Sequence, residues 1–400
     1  MAQEEAAAGF AELLTALGRR VLDEVDPEEE PLAAATRLRR TYPADLVARA
    51  LTQGRLRGRG AEKFGADAAR MFFTPDGLEQ ATRAEVAAHR AVRFGGLGLP
   101  VADLCCGIGA DLVALARAGV PVTGVERDSL TADVARANIE ALGLADRASV
   151  RLGDAAAFAP DGFAVFCDPG RRAGSRRIFD PEAYEPPLST ALDLAVRGTG
   201  GCVKVAPGVP HEIVPDGAEA EWVSWKGDLK EAVIWTGALA GPGVRRATLL
   251  PTGATLTGDP GLGPPPVAPA RRFLYEPDDA VIRAHLVAEC AAGIDGALLD
   301  PAIAYITADR HVPTPYARAY EITDVLPFAA KRLRAVLRER GVGRVTIKKR
   351  GSAVDIERLR AQLKLSGDAE TTVVLTRLGD RPYALLADPV RVPGRGGPAR

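Results

Sequence analysis

Along residues 1–94 apolar positions recur three and four apart, as in FAELLTALGRRVLDEV and PLAAATRLRRTYPADLVARAL, which is the spacing of one helix face. Thr74, Pro75 and Asp76 form a helix start, with threonine as cap and proline in the first turn. The pattern predicts one helix from there through LEQATRAEVAAHRAVRF, ending at the loop GGLGLP. At residue 101 the period changes. Short apolar runs now alternate with amphipathic stretches, the mark of a parallel sheet with crossover helices. Strands are predicted at Val101–Leu104, Val122–Val125, Ser149–Leu152, Ala164–Cys167 and Cys202–Val205, and helices over 110–118, 129–142 and 183–198.

Two further strands, Glu231–Thr236 and Val244–Leu250, are expected to form an antiparallel pair closing that sheet. Fourteen of the 34 residues from 237 to 270 are Gly or Pro, so the stretch ends as a linker. Beyond it, EPDD opens a helix, and an extended segment Tyr320–Val325, a helix Pro327–Arg340 and a strand Arg344–Lys349 follow. A helix near 355–364 and strands Thr371–Arg377 and Tyr383–Leu386 complete a small α+β unit, with GRGGPAR as a frayed tail. The expected fold class is α/β, in four segments: a helical domain 1–94, a Rossmann-like domain 95–257, a linker 258–272 and an α+β domain 273–393.

Composition narrows the setting. A net charge of −1 over 400 residues argues against a generally polybasic nucleic-acid binder and leaves room for a local basic face. Only 8 of the 51 basic residues are lysine, so arginine clusters are partly a matter of composition. The N-terminus MAQEEAAAGFAELL has acids where a signal peptide has cations, and no run is long enough to span a bilayer. Five cysteines without C-x-x-C spacing fit a reduced cytoplasm better than a disulfide framework or a zinc site. The expectation is a cytoplasmic protein without membrane or metal partner.

The chemistry concentrates between residues 101 and 172. In VADLCCGIGADLVALARAG, Asp103 ends a strand, Gly107 and Gly109 make the turn, and a helix follows. Glycines there let a ligand approach the backbone and the helix N-terminus. Seventeen residues past Gly109 the second strand ends at Glu126, where an acid commonly takes ribose hydroxyls, and the third ends at Asp154. The dinucleotide fingerprint would need glycine or alanine at Leu112. A carboxylate at Asp103 is moreover a poor neighbour for a pyrophosphate and a good one for an ammonium group. Three acids at three successive strand ends therefore suit S-adenosylmethionine.

Residues 101–172 resemble the class I S-adenosylmethionine-dependent methyltransferases: DLCCGIGAD looks like their first motif, VERD their ribose acid, GDA their adenine-proximal motif and DPGRR their fourth. The resemblance implies cofactor contacts at Asp103, Cys105, Gly107, Gly109, Glu126, Asp154 and Ala155. Cys105 departs from it by standing where the family has its first glycine. In the members that methylate an exocyclic amine, the fourth motif is Asp or Asn, Pro, Pro, aromatic. Here Asp168 and Pro169 are kept, whereas Gly170 and Arg171 replace the second proline and the aromatic. Asp168 and Pro169 are the candidate catalytic residues, and Arg171 or Arg172 would stack on a base or clamp a phosphate. Cys167 alternates with Asp168 along the strand and points away from it.

From MFFTPDGLEQATR to VTIKKRG and beyond, the chain is similar to bacterial methyltransferases with a THUMP-like C-terminal domain; FLYEPDDAVIRAHLV is among the most distinctive pieces. THUMP domains are RNA-binding modules that present tRNA to an attached modifying domain, so the resemblance implies an RNA substrate. Between Lys331 and Arg350 stand nine basic residues and one acid, enough to neutralise several phosphates, and Lys348, Lys349 and Arg350 are taken as substrate contacts. Two readings stay beside methylation of a base in tRNA or rRNA. One is a cofactor-binding protein with little or no transfer activity; the other is a methyltransferase for a small molecule or a protein.

Overall fold

In a computed structural model the protein is described over residues 2–170, 172–173, 176–177 and 180–390. The tail GRGGPAR lies outside them. The chain divides into two compact units: residues up to Glu219 with Ala232–Pro242, and Ala220–Glu231 with the chain from Gly243 onward.

The first unit begins with helices α1 (Ala2–Leu14), α2 (Ala16–Asp23), α3 (Pro31–Leu38) and α4 (Ala44–Phe64). Then come α5 (Pro75–Gln80) and α6 (Ala84–Gly95). The Thr74 hydroxyl accepts from the Gly77 amide at 3.0 Å, so the cap and its proline act as their residue types predict. The single long helix expected after Thr74 is broken, however, with Ala81 and Arg83 extended at ψ 137° and 138°. The cause comes from another helix. Lys63 of α4 donates through Nζ to the carbonyls of Leu78 (2.8 Å), Glu79 (2.7 Å) and Ala81 (2.8 Å), satisfying acceptors that the end of α5 leaves open. Thr82 is thereby turned inward and buried.

Next come β1 (Val101–Leu104), α7 (Ala110–Arg117), β2 (Val122–Glu126), α8 (Ser129–Ala141), β3 (Ala148–Leu152) and β4 (Ala164–Cys167). A short antiparallel pair, β5 (Arg172–Ala173) with β6 (Arg176–Arg177), precedes α9 (Leu188–Arg197) and β7 (Gly200–Val205). α9 starts later than expected because Pro186 and Pro187 stand ahead of it, neither able to donate to a helix ladder. β1 pairs in parallel with β2 and β4, β2 with β3, and β4 with β7. All residues of β1, β4 and β7 are buried, as strands covered on both faces must be. The chain order reverses across β1, between β2 and β4, and opens a crevice at the carboxyl ends. Phe10, Val47, Phe72 and Phe73 of the N-terminal segment share one core with Ile108, Val113 and Val134. Burial of that apolar surface holds the helices against α7 and α8.

The last strands correct the expected closing pair. β9 (Asp228–Gly237) pairs antiparallel with β7 through residues 232–237. β10 (Arg245–Leu250) instead pairs in parallel with β8 (Glu219–Trp225), a strand the sequence pattern does not predict, and antiparallel with β11 (Ala254–Thr257). Parallel neighbours need a connection longer than a tight turn, and β9 occupies the chain between them.

The second unit also carries β12 (Phe273–Pro277), α10 (Asp279–Arg283), α11 (Val287–Ala292), β13 (Ala297–Asp300), β14 (Ile303–Ala308) and β15 (Ala317–Pro327). It continues with α12 (Ala330–Glu339), β16 (Val342–Lys349), α13 (Ile356–Leu363), β17 (Ala369–Leu378) and β18 (Arg381–Pro389). Its seven-stranded sheet runs β13-β14-β12-β15-β18-β17-β16, and only β16 and β17 are parallel. Leu333 and Leu337 of α12 and Leu359 and Leu363 of α13 pack with Val373, Leu375 and Leu386 of the sheet. Among the described residues, no helix is long and apolar enough to cross a membrane.

Candidate active site

A cavity of about 910 Å³ opens at the carboxyl ends of β1, β2, β3 and β4, inside the first unit. Thr74, Asp76, Gly77 and Thr82 of the N-terminal segment form part of its wall. The size suits a nucleoside-bearing ligand. Its floor is the turn after β1, where Cys105, Gly107 and Gly109 have φ of 65°, 55° and 87°. A Cβ at Gly107 would meet nothing within 4 Å, so glycine is required there for its backbone conformation and leaves open space beside it. Cys105 adopts the same left-handed region with a side chain, a strain of about 1–2 kcal/mol that a glycine would not carry.

The charge of this cavity is its main property. Among the described lining residues nine are acids (Asp76, Glu79, Asp103, Asp111, Glu126, Asp128, Asp154, Asp168 and Glu185) and one, Arg127, is a base. Most of these acids are held. Glu126 accepts from the amides of Gly107 and Asp128, each at 3.0 Å, which ties the second strand's end to the glycine turn. Asp154 accepts from the Ala156 amide at 2.9 Å. Asp103 is different: it is fully buried, and neither carboxylate oxygen has a hydrogen-bond partner. Burial, with Asp111 and Asp168 nearby, pushes its carboxyl well above the usual range. A buried, unpartnered carboxylate is costly unless a cation or donor comes to it.

At the acceptor end buried side chains form two hydrogen-bonded groups. Lys204 of β7 is buried and donates through Nζ to Asp168 Oδ2 at 2.7 Å and to Thr82 Oγ1 at 2.9 Å. Arg90 of α6 donates through Nη2 to Asp111 Oδ1 at 2.5 Å. Burial raises Asp111, but the charges of Arg90 and Lys204 and the hydrogen bond from Arg90 outweigh it and hold the carboxyl below its usual range. The Arg90 guanidinium lies 4.6 Å above the Phe166 ring. The neighbouring thiols are not activated. Burial pushes Cys106 well up, and a hydrogen bond with Cys105 together with burial does the same to Cys167.

Of the residues singled out in the sequence, Asp103, Cys105, Gly107, Glu126, Asp154, Ala155, Asp168 and Pro169 line this one cavity. Gly109 caps α7 instead. Arg171 and the side chain of Arg172 lie outside the described residues. Lys348, Lys349 and Arg350 stand together at the end of β16 in the second unit, and each is engaged there. Lys348 pairs with Glu276 at 2.6 Å, Arg350 with Asp279 at 3.5 Å, and Lys349 donates to the Val354 carbonyl at 3.1 Å. Sequence reasoning misses Lys204, Thr82, Asp111 and Arg90. One signal is legible: a lysine inside the otherwise apolar strand run GGCVKV. Among the described residues no group of three or more His, Cys, Asp or Glu could hold a metal ion.

Two S-adenosylmethionine-dependent methyltransferases of Mycobacterium tuberculosis, from strains CDC 1551 / Oshkosh and ATCC 25618 / H37Rv, are each 38% identical to this chain over 333 residues. The match covers 81% of this chain and 91% of each relative. The chain belongs to the S-adenosylmethionine-dependent methyltransferases, and S-adenosylmethionine is its cofactor. Residues 317–389 match the family described as THUMP domain-like, and residues 6–60 match a domain of unknown function (DUF8688). The fold is shared with a Porphyromonas gingivalis W83 protein proposed to be a methyltransferase. That crystal structure is 21% identical, covers 91% of this chain and 96% of its own, and superposes with a TM-score of 0.74. The residues present fit the cofactor, since a cationic ligand answers both the unpartnered Asp103 and the acid-rich lining.

Proposed function

We propose that the chain methylates a base in RNA, tRNA or rRNA, in the cytoplasm, with the chemistry in the acid-lined cavity and RNA held by the C-terminal domain. When bound, the cofactor supplies an electrophilic methyl group on a sulfonium. Asp103 holds its ammonium group, Glu126 its ribose hydroxyls and Asp154 the amine of its adenine. The backbone from Cys105 to Gly109 and Ala155 complete the contacts. Asp168 accepts an N–H of the acceptor, and the backbone carbonyl at Pro169 helps to orient it. Orientation and proximity account for most of the rate in an in-line displacement.

The observation that carries this reading is Asp168 at the end of β4. It lines the same cavity as the glycine turn, and its one side-chain partner among the described residues is Lys204, on Oδ2. Support for RNA comes from the THUMP domain-like match. The test is transfer of radiolabelled methyl to bulk RNA of the source organism, with Asp168→Ala and nuclease-treated controls. Label that is nuclease-sensitive and lost with Asp168→Ala is expected; label that survives that substitution sinks the role of Asp168. A second reading, a small amine acceptor, is favoured by the nine acids, which repel phosphate. Cofactor binding without RNA labelling would turn the search to it.

A further inference from the structure

Behind Asp168 stands a group of four polar side chains. The Lys204 ammonium only donates, and it bridges two acceptors, Thr82 Oγ1 at 2.9 Å and Asp168 Oδ2 at 2.7 Å. Arg90 holds Asp111 at 2.5 Å, and the Asp111 carboxylate adds negative charge near that ammonium. Among the described residues Asp168 is left as an acceptor with one oxygen occupied.

The members come from four separate parts of the first unit. Arg90 is on α6, Asp111 on α7, Lys204 on β7, and Thr82 is in the break between α5 and α6. Lys204 and Arg90 are only 5% and 3% exposed. A lysine this deep in a parallel strand is expensive without charged partners, and these partners supply them. Among the described lining residues the one aromatic is Phe166, itself buried under Arg90.

We infer that Lys204 and Thr82 are positioning residues that lock the Asp168 carboxylate in one orientation, leaving Oδ1 to receive an N–H of a neutral or cationic acceptor. The inference rests on the reading of Asp168 as the acceptor contact and adds to it. Negative charge on the accepting group itself is disfavoured by the fixed carboxylate and its acidic neighbours among the described residues. The N-terminal segment also becomes part of the catalytic centre, because Thr82 enters this group only through the helix break that Lys63 stabilises.

Crystal structures of the wild type, Lys204→Arg, Lys204→Met and Thr82→Val read the positioning directly. Asp168 in a single cavity-facing rotamer is expected in the first two. In Lys204→Met it should turn away or spread over several rotamers, and Thr82→Val, which removes one hydroxyl only, should show a weaker form of the same change. An unchanged single rotamer in both Lys204→Met and Thr82→Val overturns the inference. Turnover on bulk RNA gives the second readout. Lys204→Met should lower kcat at least tenfold in the wild-type background and less than twofold in an Asp168→Asn background, since Lys204 acts through Asp168. Equal losses in the two backgrounds overturn the inference. If the wild type labels no RNA, the RNA reading fails, and the rotamers still decide the positioning role.

Discussion

The acid-lined cavity of the first unit and the basic stretch of the second treat charge in opposite ways. In the cavity, Asp103 is buried with both oxygens unsatisfied, a local cost that a cationic ligand removes. In the C-terminal domain most cations are already answered. Arg340 pairs with Asp324 at 2.9 Å, Lys348 with Glu276 at 2.6 Å and Arg350 with Asp279 at 3.5 Å, and Arg344 pairs with Glu370. The lesson is that charge density in a sequence is no measure of charge on offer. Of the nine basic residues between Lys331 and Arg350, Lys331, Arg332 and Arg334 of α12 have no ion-pair or hydrogen-bond partner for their side chains among the described residues. A partner's phosphates would meet these first.

The largest expected effect belongs to Asp103. Replacing it by asparagine removes a charged partner worth about 1.5–3 kcal/mol, so cofactor affinity in calorimetry should fall roughly 10- to 100-fold. The same change should raise the melting temperature of the ligand-free protein at pH values where Asp103 is ionised, because the unpaired charge is gone. The pH dependence has a definite sign. A carboxyl held above its unfolded value favours the fold at low pH, and that advantage is lost as pH rises through the folded value. The cofactor's cation prefers the ionised form, so wild-type affinity should climb over the same interval while Asp103→Asn stays flat. A flat wild-type profile would break the contrast at its cavity end.

Next in size is the basic face. Replacing Lys331, Arg332 and Arg334 together by alanine should weaken RNA binding and reduce the salt slope by about 2, since each phosphate neutralised on a single strand adds about 0.7. Lys348→Met should leave that slope unchanged and alter stability by less than about 1 kcal/mol, as for other part-exposed pairs. Reversed results would return the interface to Lys348, Lys349 and Arg350. A larger loss of stability is expected from Lys63→Met, which leaves the carbonyls at the end of α5 without their donor; chemical denaturation should show about 1–2 kcal/mol. The smallest effect is at Cys105. Glycine there relieves the left-handed strain and gives part of it back as unfolded-state entropy, so stability should rise by less than about 1 kcal/mol with cofactor affinity unchanged.

The parallel sheet was legible because its strands are buried on both faces and read as short apolar runs: β1 and β4 begin and end at the expected residues. The acids at the strand ends were legible for the same reason, since a carboxylate closing an apolar run is conspicuous. The helix from Pro75 was not legible in full. Nothing between Gln80 and Ala84 is glycine or proline, and the break depends on an ammonium arriving from α4. β8 escaped although it lies in the sheet between β10 and the β9 that directly follows it.

Local chemistry, repeated at the right intervals, determined the succession of strands and helices, the glycine turn and the family to which the chain belongs. The sequence alone could say that Lys204 sits in an apolar strand and that nine cations cluster after residue 330. Only the tertiary structure decided what those charges do. An ion pair joins residues as distant in sequence as Asp168 and Lys204, or Glu276 and Lys348, and its formation depends on packing that no local pattern encodes. Whether a charge is spent inside the fold or left for a ligand is therefore settled in three dimensions.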